Sequence, residues 1–191
     1  MRIGLYGGSF DPIHLGHLLV AQAAREEVAL DKVVFLPAAQ SPFKPERTLS
    51  PDAARAQLLR LSLAGESYCE IDLQELTRGG ISFTIDTVRD YKTRCPAAHL
   101  FYIIGSDHVA QLPKWRDSGE LAQSVEFLVL SRPGEAETPF PSGFKGQRLK
   151  GFPLGLSASQ VRDRVKNGLP VDLLVGRAVA EAIRHNGLYL S

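Results

Sequence analysis

The chain has 191 residues, 44% of them hydrophobic and 23% charged, and its 22 Lys and Arg against 21 Asp and Glu leave a net charge of +1. This composition is that of an ordinary globular protein, and its balanced charge argues against a broad surface for nucleic acid or an anionic membrane. The two cysteines lack metal-ligand spacing, and no apolar run approaches the length of a membrane span. We therefore expect a cytoplasmic protein with no nucleic-acid partner and no membrane partner.

Apolar runs alternate along the chain with stretches that combine helix-forming residues and cap signals. Strands are predicted at 3–6, 32–37, 68–72, 100–104, 126–130 and 148–153. Helices are predicted at about 16–29, 50–64, 82–94, 107–112, 117–123, 158–167 and 172–186. This alternation predicts an α/β fold with a doubly wound parallel sheet in one domain, 1–191, whose last part, 154–191, is a small C-terminal helical portion.

Glycine, proline and serine predict where several of these elements begin and end. Gly7 and Gly8 are expected to end the first strand, because they lack Cβ atoms and let the backbone bend sharply. Ser50 is expected to cap a helix that has Pro51 at its first position. Residues 77–80, Thr-Arg-Gly-Gly, are expected to form a turn.

The most specific pattern is residues 7–17, Gly-Gly-Ser-Phe-Asp-Pro-Ile-His-Leu-Gly-His. The first turn of the helix that follows the glycines has free N–H groups and the positive end of the helix dipole, which together favour phosphate. His14 and His17 can share one face of this turn and donate hydrogen bonds to phosphate oxygens. The pattern is neither a P-loop nor a Gly-x-Gly-x-x-Gly fingerprint. If the segment has no binding role, it is a tight strand-to-helix turn with two surface histidines.

Two further motifs follow predicted strands or begin predicted helices. Residues 82–87, Ser-Phe-Thr-Ile-Asp-Thr, place hydroxyl groups at a helix start, where Ser82 or Thr84 is expected to cap the helix. Gly105 and Asp107 end a buried strand, and Asp107 either accepts hydrogen bonds from a ribose or caps a helix. Trp115, the only tryptophan, either stacks on a planar ring or anchors the core.

The last motif is residues 156–162, Leu-Ser-Ala-Ser-Gln-Val-Arg. It is predicted to begin a helix with Arg162 in the first turn, where a cation is unfavourable next to the helix dipole. Arg162 is therefore expected to have an anionic partner, either phosphate oxygens held by two parallel hydrogen bonds or a carboxylate such as Asp163. In a doubly wound sheet, ligands bind beyond the carboxyl ends of the strands, so all of these motifs are expected to converge on one crevice.

Together the motifs resemble the bacterial nicotinate-nucleotide adenylyltransferases, a family of the nucleotidyltransferase superfamily with the His-x-Gly-His motif. The resemblance covers nearly the whole chain. The matching segments are 7–17, 81–87, 104–107 with Trp115, and 156–162. Phe43 stands where the family often has a histidine, and Ala38-Ala39 stands where an asparagine is common.

The resemblance implies a Rossmann-like nucleotidyltransferase fold and adenylyl transfer from ATP to nicotinate mononucleotide, a step of NAD biosynthesis that yields nicotinate adenine dinucleotide and pyrophosphate. Mg²⁺ is expected to bind through the ATP phosphates and not at a protein metal site, and a homo-oligomer is possible. The implied catalytic residues are His14, His17 and Arg162. The implied ATP-binding residues are Gly8, Ser9, Phe10, His14, His17, Gly105, Asp107, Ser159 and Arg162. The implied mononucleotide-binding residues are Lys44, Thr84 and Trp115.

Three alternatives remain open at the level of sequence. A sister adenylyl- or cytidylyltransferase, such as one acting on phosphopantetheine, would share residues 8–17, but Trp115 and residues 82–87 argue against it. A synthetase-like RNA binder would need a basic surface and a Lys-Met-Ser-Lys-like loop, and the sequence has neither. A non-catalytic nucleotide-binding module would bind ATP without turnover.

Overall fold

The computed structural model describes residues 1–43, 48–130, 138–152 and 154–190. Its strands form one six-stranded sheet in the order β3-β2-β1-β4-β5-β6, and every neighbouring pair is parallel. The strands are β1 (Arg2–Gly8), β2 (Lys32–Pro37), β3 (Cys69–Ile71), β4 (His99–Gly105), β5 (Glu126–Leu130) and β6 (Gly146–Leu149). The predicted doubly wound parallel sheet is confirmed.

Helices cover both faces of this sheet. They are α1 (Leu15–Val28), α2 (Asp52–Ser62), α3 (Gln74–Arg78), α4 (Thr84–Arg94), a 3-10 helix (Ser106–Lys114), α5 (Ser118–Ser124), α6 (Ala158–Lys166), α7 (Asp172–Val175) and α8 (Arg177–His185). Neighbouring residues of β4 alternate between the two cores: Phe101 belongs to the core under α1, α2 and α6–α8, and Tyr102 to the core under α4 and α5. Both faces of the central strands are buried, which explains why their sequences read as nearly continuous apolar runs.

The C-terminal helices complete the first of these two cores. Val161, Val175, Val179 and Ile183 are buried in the same cluster as strand residues of the sheet. The segment predicted as one helix, 172–186, is two helices, because Gly176 separates them at a positive φ of 84°. None of the helices in the described ranges is long and apolar enough to cross a membrane.

Two of the predicted element ends are wrong near the site. The strand does not stop before Gly7 and Gly8; they are the last two residues of β1, paired with Leu36 and Pro37, because the ladder to β2 runs to the end of both strands. Helix α2 begins one residue later than predicted, since Pro51 has an extended ψ of 139° and is the residue before the helix.

Two further predictions fail because distant residues decide the local structure. Thr77 and Arg78, the first half of the turn expected at 77–80, are the last two residues of helix α3, which buries Glu75; Gly79 follows the helix with a φ of 68°. The last strand ends at Leu149, short of the predicted 153, because the Glu27 carboxylate accepts the backbone N–H groups of Lys150 and Gly151.

Candidate active site

The predicted crevice lies at the carboxyl ends of β1, β2 and β4, where a cavity of about 280 Å³ opens. Six of the predicted binding residues line it: Gly8, Ser9, Thr84, Gly105, Asp107 and Trp115. A Cβ atom on Gly7 would collide with the hydroxyl of Tyr102 across the sheet, so glycine is required there for β1 and β4 to form this wall. The other described site residues group around residues 9–14, the loop between β1 and α1.

The two histidines lie at the mouth of α1 with their rings together. Their centroids are 3.8 Å apart at an interplanar angle of 33°. His14 precedes the helix, and its backbone N–H donates to Nδ1 of His17 at 3.1 Å. Because Nδ1 of His17 accepts a hydrogen bond, the proton of its neutral ring is on Nε2, which is then a donor for a ligand. A Cβ on Gly16 would lie 3.0 Å from the His14 ring, which explains the glycine between the histidines.

Burial keeps both histidines uncharged near neutral pH. Desolvation lowers the pKa of His14 to about 4. Desolvation and the neighbouring His14 ring lower the pKa of His17 well below its usual value. Within the described part of the chain, Nδ1 of His14 is buried without a hydrogen-bond partner. Buried unpaired nitrogens are uncommon, and a role in ligand binding or catalysis is one recognised reason for them.

Phe10 holds the loop against the core and leaves only its backbone for a ligand. Its side chain is 1% exposed, and its ring centroid lies 5.0 Å from that of His17 and 5.5 Å from those of Tyr6 and Phe35. Phe10 has a positive φ of 44°, which turns the chain sharply after β1. Any contact that Phe10 makes with ATP would therefore come from its backbone.

Helix α6 brings Arg162 to this loop from the far end of the chain. Ser157 and Gln160 cap the helix reciprocally, with the Ser157 N–H donating to the Gln160 side chain at 2.8 Å. The helix begins at Ala158, so Arg162 is its fifth residue and lies past the first turn where it was predicted. Arg162 donates to the carbonyl oxygen of Asp11 at 2.7 Å and to Oγ of Ser159 at 3.2 Å.

The hydroxyl groups expected to cap α4 form the cavity wall instead. Phe83 is the residue before the helix, and no side chain caps it. Oγ of Ser82 accepts the backbone N–H of Ala39 at 3.0 Å, and Oγ1 of Thr84 donates to the Tyr102 hydroxyl at 3.3 Å. The prediction of a Ser82 or Thr84 cap is wrong because both side chains bind neighbouring strands and loops.

Trp115 packs against the core and also lies in the cavity wall, so its predicted core role is present, while stacking on a ligand ring stays a prediction. Its ring packs edge-on against Tyr102 and Phe127, with centroids 6.1 and 6.3 Å away, and it also lines the cavity. The ring centroid of Phe43, which also lines the cavity, lies 5.8 Å from that of Trp115 at an interplanar angle of 40°. Lys44, the predicted mononucleotide contact next to Phe43, lies outside the described residues.

Sequence reasoning missed Arg55, a fully buried arginine on α2. Its guanidinium donates at 2.8 Å to the carbonyl oxygens of both Ser9 and Ala38, and at 3.2 Å to that of Ser50. It also pairs with Asp52. Arg55 precedes two buried leucines of the helix by three and four residues, so helical periodicity places it on the apolar face. That position was the available signal.

Glu75 is the second residue that sequence reasoning missed. It lines the cavity, is 4% exposed, and accepts a hydrogen bond from Oγ1 of Thr87 at 2.7 Å. Burial raises the pKa of its carboxyl group, while the hydrogen bonds from Thr87 and Ser82 oppose this shift. Nothing in the local sequence marks Glu75, because its burial depends on the contact between α3 and α4.

The fold and the site together define a nucleotidyltransferase: a parallel sheet of this order, with paired histidines where the glycine loop enters its helix. The family model described as cytidylyltransferase-like matches residues 5–164. A nicotinic acid mononucleotide adenylyltransferase of Plasmodium falciparum, complexed with NaAD, has the same fold, with a TM-score of 0.79 at 18% identity over 98% of this chain and 97% of that one.

Sequence comparison narrows this class to one family. A protein of Opitutus terrae, named probable nicotinate-nucleotide adenylyltransferase, is 42% identical over 99% of this chain and 98% of its own length. A protein of Bacillus licheniformis with the same name is 37% identical over 98% of both chains. The chain belongs to the nicotinate-nucleotide adenylyltransferase family, and the predictions of family, enzyme class and fold are confirmed.

Proposed function

We propose that this chain transfers the adenylyl group of ATP to the 5′-phosphate of nicotinate mononucleotide. One observation carries the proposal: at the mouth of α1 the rings of His14 and His17 lie 3.8 Å apart, and Tyr6, whose ring centroid is 6.1 Å from that of His17, separates them from a cavity that Trp115 also lines. The helix mouth suits the phosphates of ATP, and the cavity suits the two heterocyclic ends of the product.

In the reaction, a phosphate oxygen of the mononucleotide forms a bond to the α-phosphorus of ATP. The bond from the α-phosphorus to the bridging oxygen breaks, and pyrophosphate leaves with the electron pair. The nucleophile is already an anion at neutral pH, so no general base is needed. Catalysis then consists of alignment and stabilisation of the charge on the transferring group. His17 donates from Nε2 to the α-phosphate, and His14 supports the same phosphates.

The remaining phosphate groups are bound by residues of α6 and of the loop that follows β2. Arg162 and Ser159 hold the β- and γ-phosphates, and Lys44 bridges the phosphates of the two nucleotides. Mg²⁺ enters with ATP and is held by phosphate oxygens and water, as is usual for this ion. Nowhere in the described ranges do three or more His, Cys, Asp or Glu side chains gather as metal ligands.

The base-binding ends of the site follow from the same arrangement. Thr84 and Trp115 hold the nicotinate, whose ring stacks on the tryptophan. Gly105 and Asp107 face the adenosine, with the exposed Asp107 carboxylate accepting hydrogen bonds from ribose hydroxyl groups. Gly8, Ser9 and the backbone of Phe10 line the path of the phosphates between these two ends.

A crossed substrate panel tests the reaction. ATP, CTP and GTP are each combined with nicotinate mononucleotide, nicotinamide mononucleotide and phosphopantetheine, and both pyrophosphate and the coupled product are measured. We expect the highest kcat/KM for ATP with the nicotinate acid. A preference for CTP or for phosphopantetheine would assign the chain to a sister activity, and binding of ATP without any product would indicate a non-catalytic module.

Two substitutions test the assigned residues. His17→Ala and Arg162→Ala are each expected to lower kcat/KM by about 10²–10³, the usual effect of losing one preorganised donor to the transition state. Lys166→Ala removes an exposed cation from the same helix as Arg162 and should retain wild-type turnover. Normal turnover in either site variant would refute its catalytic assignment.

A further inference from the structure

The C-terminal turn of the chain reaches back to the loop between β1 and α1. After α8 the chain reverses at Gly187, with a φ of 60°, and the N–H of Leu188 donates to the carbonyl of Ile183 at 3.0 Å. The Tyr189 hydroxyl then donates to Oδ1 of Asp11 at 2.8 Å, a contact between residues 178 positions apart. Tyr189 also packs against the first core, so its ring is fixed by apolar contacts as well.

The backbone of Tyr189 supports a specific role for this contact. Its φ is 64°, in the left-handed region that bulky side chains rarely adopt. Such conformations persist only where surrounding contacts hold them, and they cluster at functional sites. Burial, together with the neighbouring Asp11, raises the pKa of the Tyr189 phenol, so its O–H group remains a donor at neutral pH.

Asp11 connects Tyr189 to Arg162 through two different parts of one residue. Asp11 is only 2% exposed, and its carboxylate accepts a hydrogen bond from the Tyr189 hydroxyl group. Its carbonyl oxygen accepts the Arg162 guanidinium at 2.7 Å. A buried carboxylate must be well hydrogen-bonded to keep one orientation. The orientation of Asp11 therefore fixes the acceptor on which Arg162 rests.

We propose that Tyr189 is a positioning residue that sets the guanidinium of Arg162 through Asp11, and that the turn after α8 thereby completes the phosphate-binding half of the site. The proposal rests on the assignment of Arg162 to the phosphates of ATP. Tyr189 itself contacts no reacting atom. Its effect appears in the transition state, where the guanidinium must meet the charge that passes to pyrophosphate.

Tyr189→Phe tests this inference by removing one oxygen atom and keeping the ring. We expect kcat to fall about tenfold, the effect of misplacing one charged hydrogen bond, while KM for the mononucleotide changes less than twofold. Tyr91→Phe is the matched control, since Tyr91 also donates to an aspartate, Asp72, at 2.8 Å, but that aspartate is bonded to Arg94, a residue with no assigned role in the site. It should retain the wild-type kcat.

The double variant with Arg162→Ala separates positioning from general support of the fold. If Tyr189 acts through Arg162, Tyr189→Phe has no further effect on kcat in the Arg162→Ala background. An equal tenfold fall in both backgrounds, or a Tyr189→Phe enzyme with wild-type kcat, would overturn the inference. Asp11→Ala removes the acceptor from the other side and should reproduce the same fall if Tyr189→Phe does not fold. A wild-type protein that makes no dinucleotide would instead refute the proposed function.

Discussion

At the scale of single residues, the site depends on two histidines whose pKa values lie below the usual value for histidine. Desolvation lowers the pKa of both His14 and His17, and the neighbouring His14 ring lowers that of His17 further, so both rings are uncharged near neutral pH. This state leaves Nε2 of His17 as a neutral donor when no ligand is bound. Phosphate oxygens brought close to the rings would favour the protonated forms, so binding of ATP is expected to be accompanied by proton uptake.

The lowered histidine pKa values also predict how stability depends on pH. Between about pH 6.5 and pH 4, His14 binds a proton in the unfolded chain but not in the folded chain. Acidification through this window therefore favours unfolding. Between pH 6.5 and pH 5, protonation of His14 in the unfolded chain should lower the free energy of unfolding by about 2 kcal/mol.

Urea denaturation at pH 7 and at pH 5 measures this cost. His14→Asn should lose less stability between the two pH values than the wild type. His185→Asn changes an exposed histidine of α8, and this variant should lose as much stability between the two pH values as the wild type. Equal pH dependence in the wild type and His14→Asn would contradict a neutral, buried His14.

At the scale of secondary-structure elements, the site is formed where loops after neighbouring strands meet. Arg55 is the shared support, because one side chain on α2 donates to Ser9 after β1, Ala38 after β2 and Ser50 before α2. A planar guanidinium can satisfy all of these carbonyl groups at once. The loops would otherwise have buried carbonyl groups without partners.

This arrangement predicts that lysine cannot replace Arg55. Arg55→Lys leaves at least one buried carbonyl unpaired and should lower the free energy of unfolding by about 3 kcal/mol. Hydrogen exchange at residues 9–11 should increase more than exchange in the distant strand β6. Arg60→Lys, at an exposed position of the same helix, should change neither measurement. An Arg55→Lys protein as stable as the wild type would show that the loops support themselves.

At the scale of the whole molecule, both ends of the chain contribute to one core and one site. Val161, Val175, Val179 and Ile183 of the C-terminal helices are buried with residues of the sheet. We propose on this ground that residues 1–191 form a single domain, in which 154–191 is the C-terminal helical portion. The segment also carries Arg162 and Tyr189 back to the loop after β1.

A chain that ends at residue 153 is therefore expected not to fold. Each of the four buried side chains contributes roughly 1.5–3 kcal/mol. Their sum approaches the whole stability of a typical domain, roughly 5–15 kcal/mol. Circular dichroism and thermal melting would detect the loss. Leu173→Ser, at a residue 91% exposed in the same segment, should melt like the wild type. A cooperative melt of the 1–153 chain would contradict the single domain.

Local patterns in the sequence were enough to predict the sheet, most helices and the position of the loop that leads from β1 into α1. Continuous apolar runs mark strands buried on both faces, and the spacing of the glycines and of His14 and His17 is a property of one short segment. The strand 126–130 and the helix at 158–166 follow the prediction almost residue for residue. These features need no knowledge of distant contacts.

The supporting structure of the site depends on contacts between distant parts of the chain. Arg55 meets a carbonyl 46 positions away, Glu75 a hydroxyl 12 positions away, and Tyr189 a carboxylate 178 positions away. Burial of such polar groups is favourable only after folding has brought their partners together. No periodicity or spacing along the chain encodes that condition, so only the tertiary structure could decide which polar residues lie inside and what they hold.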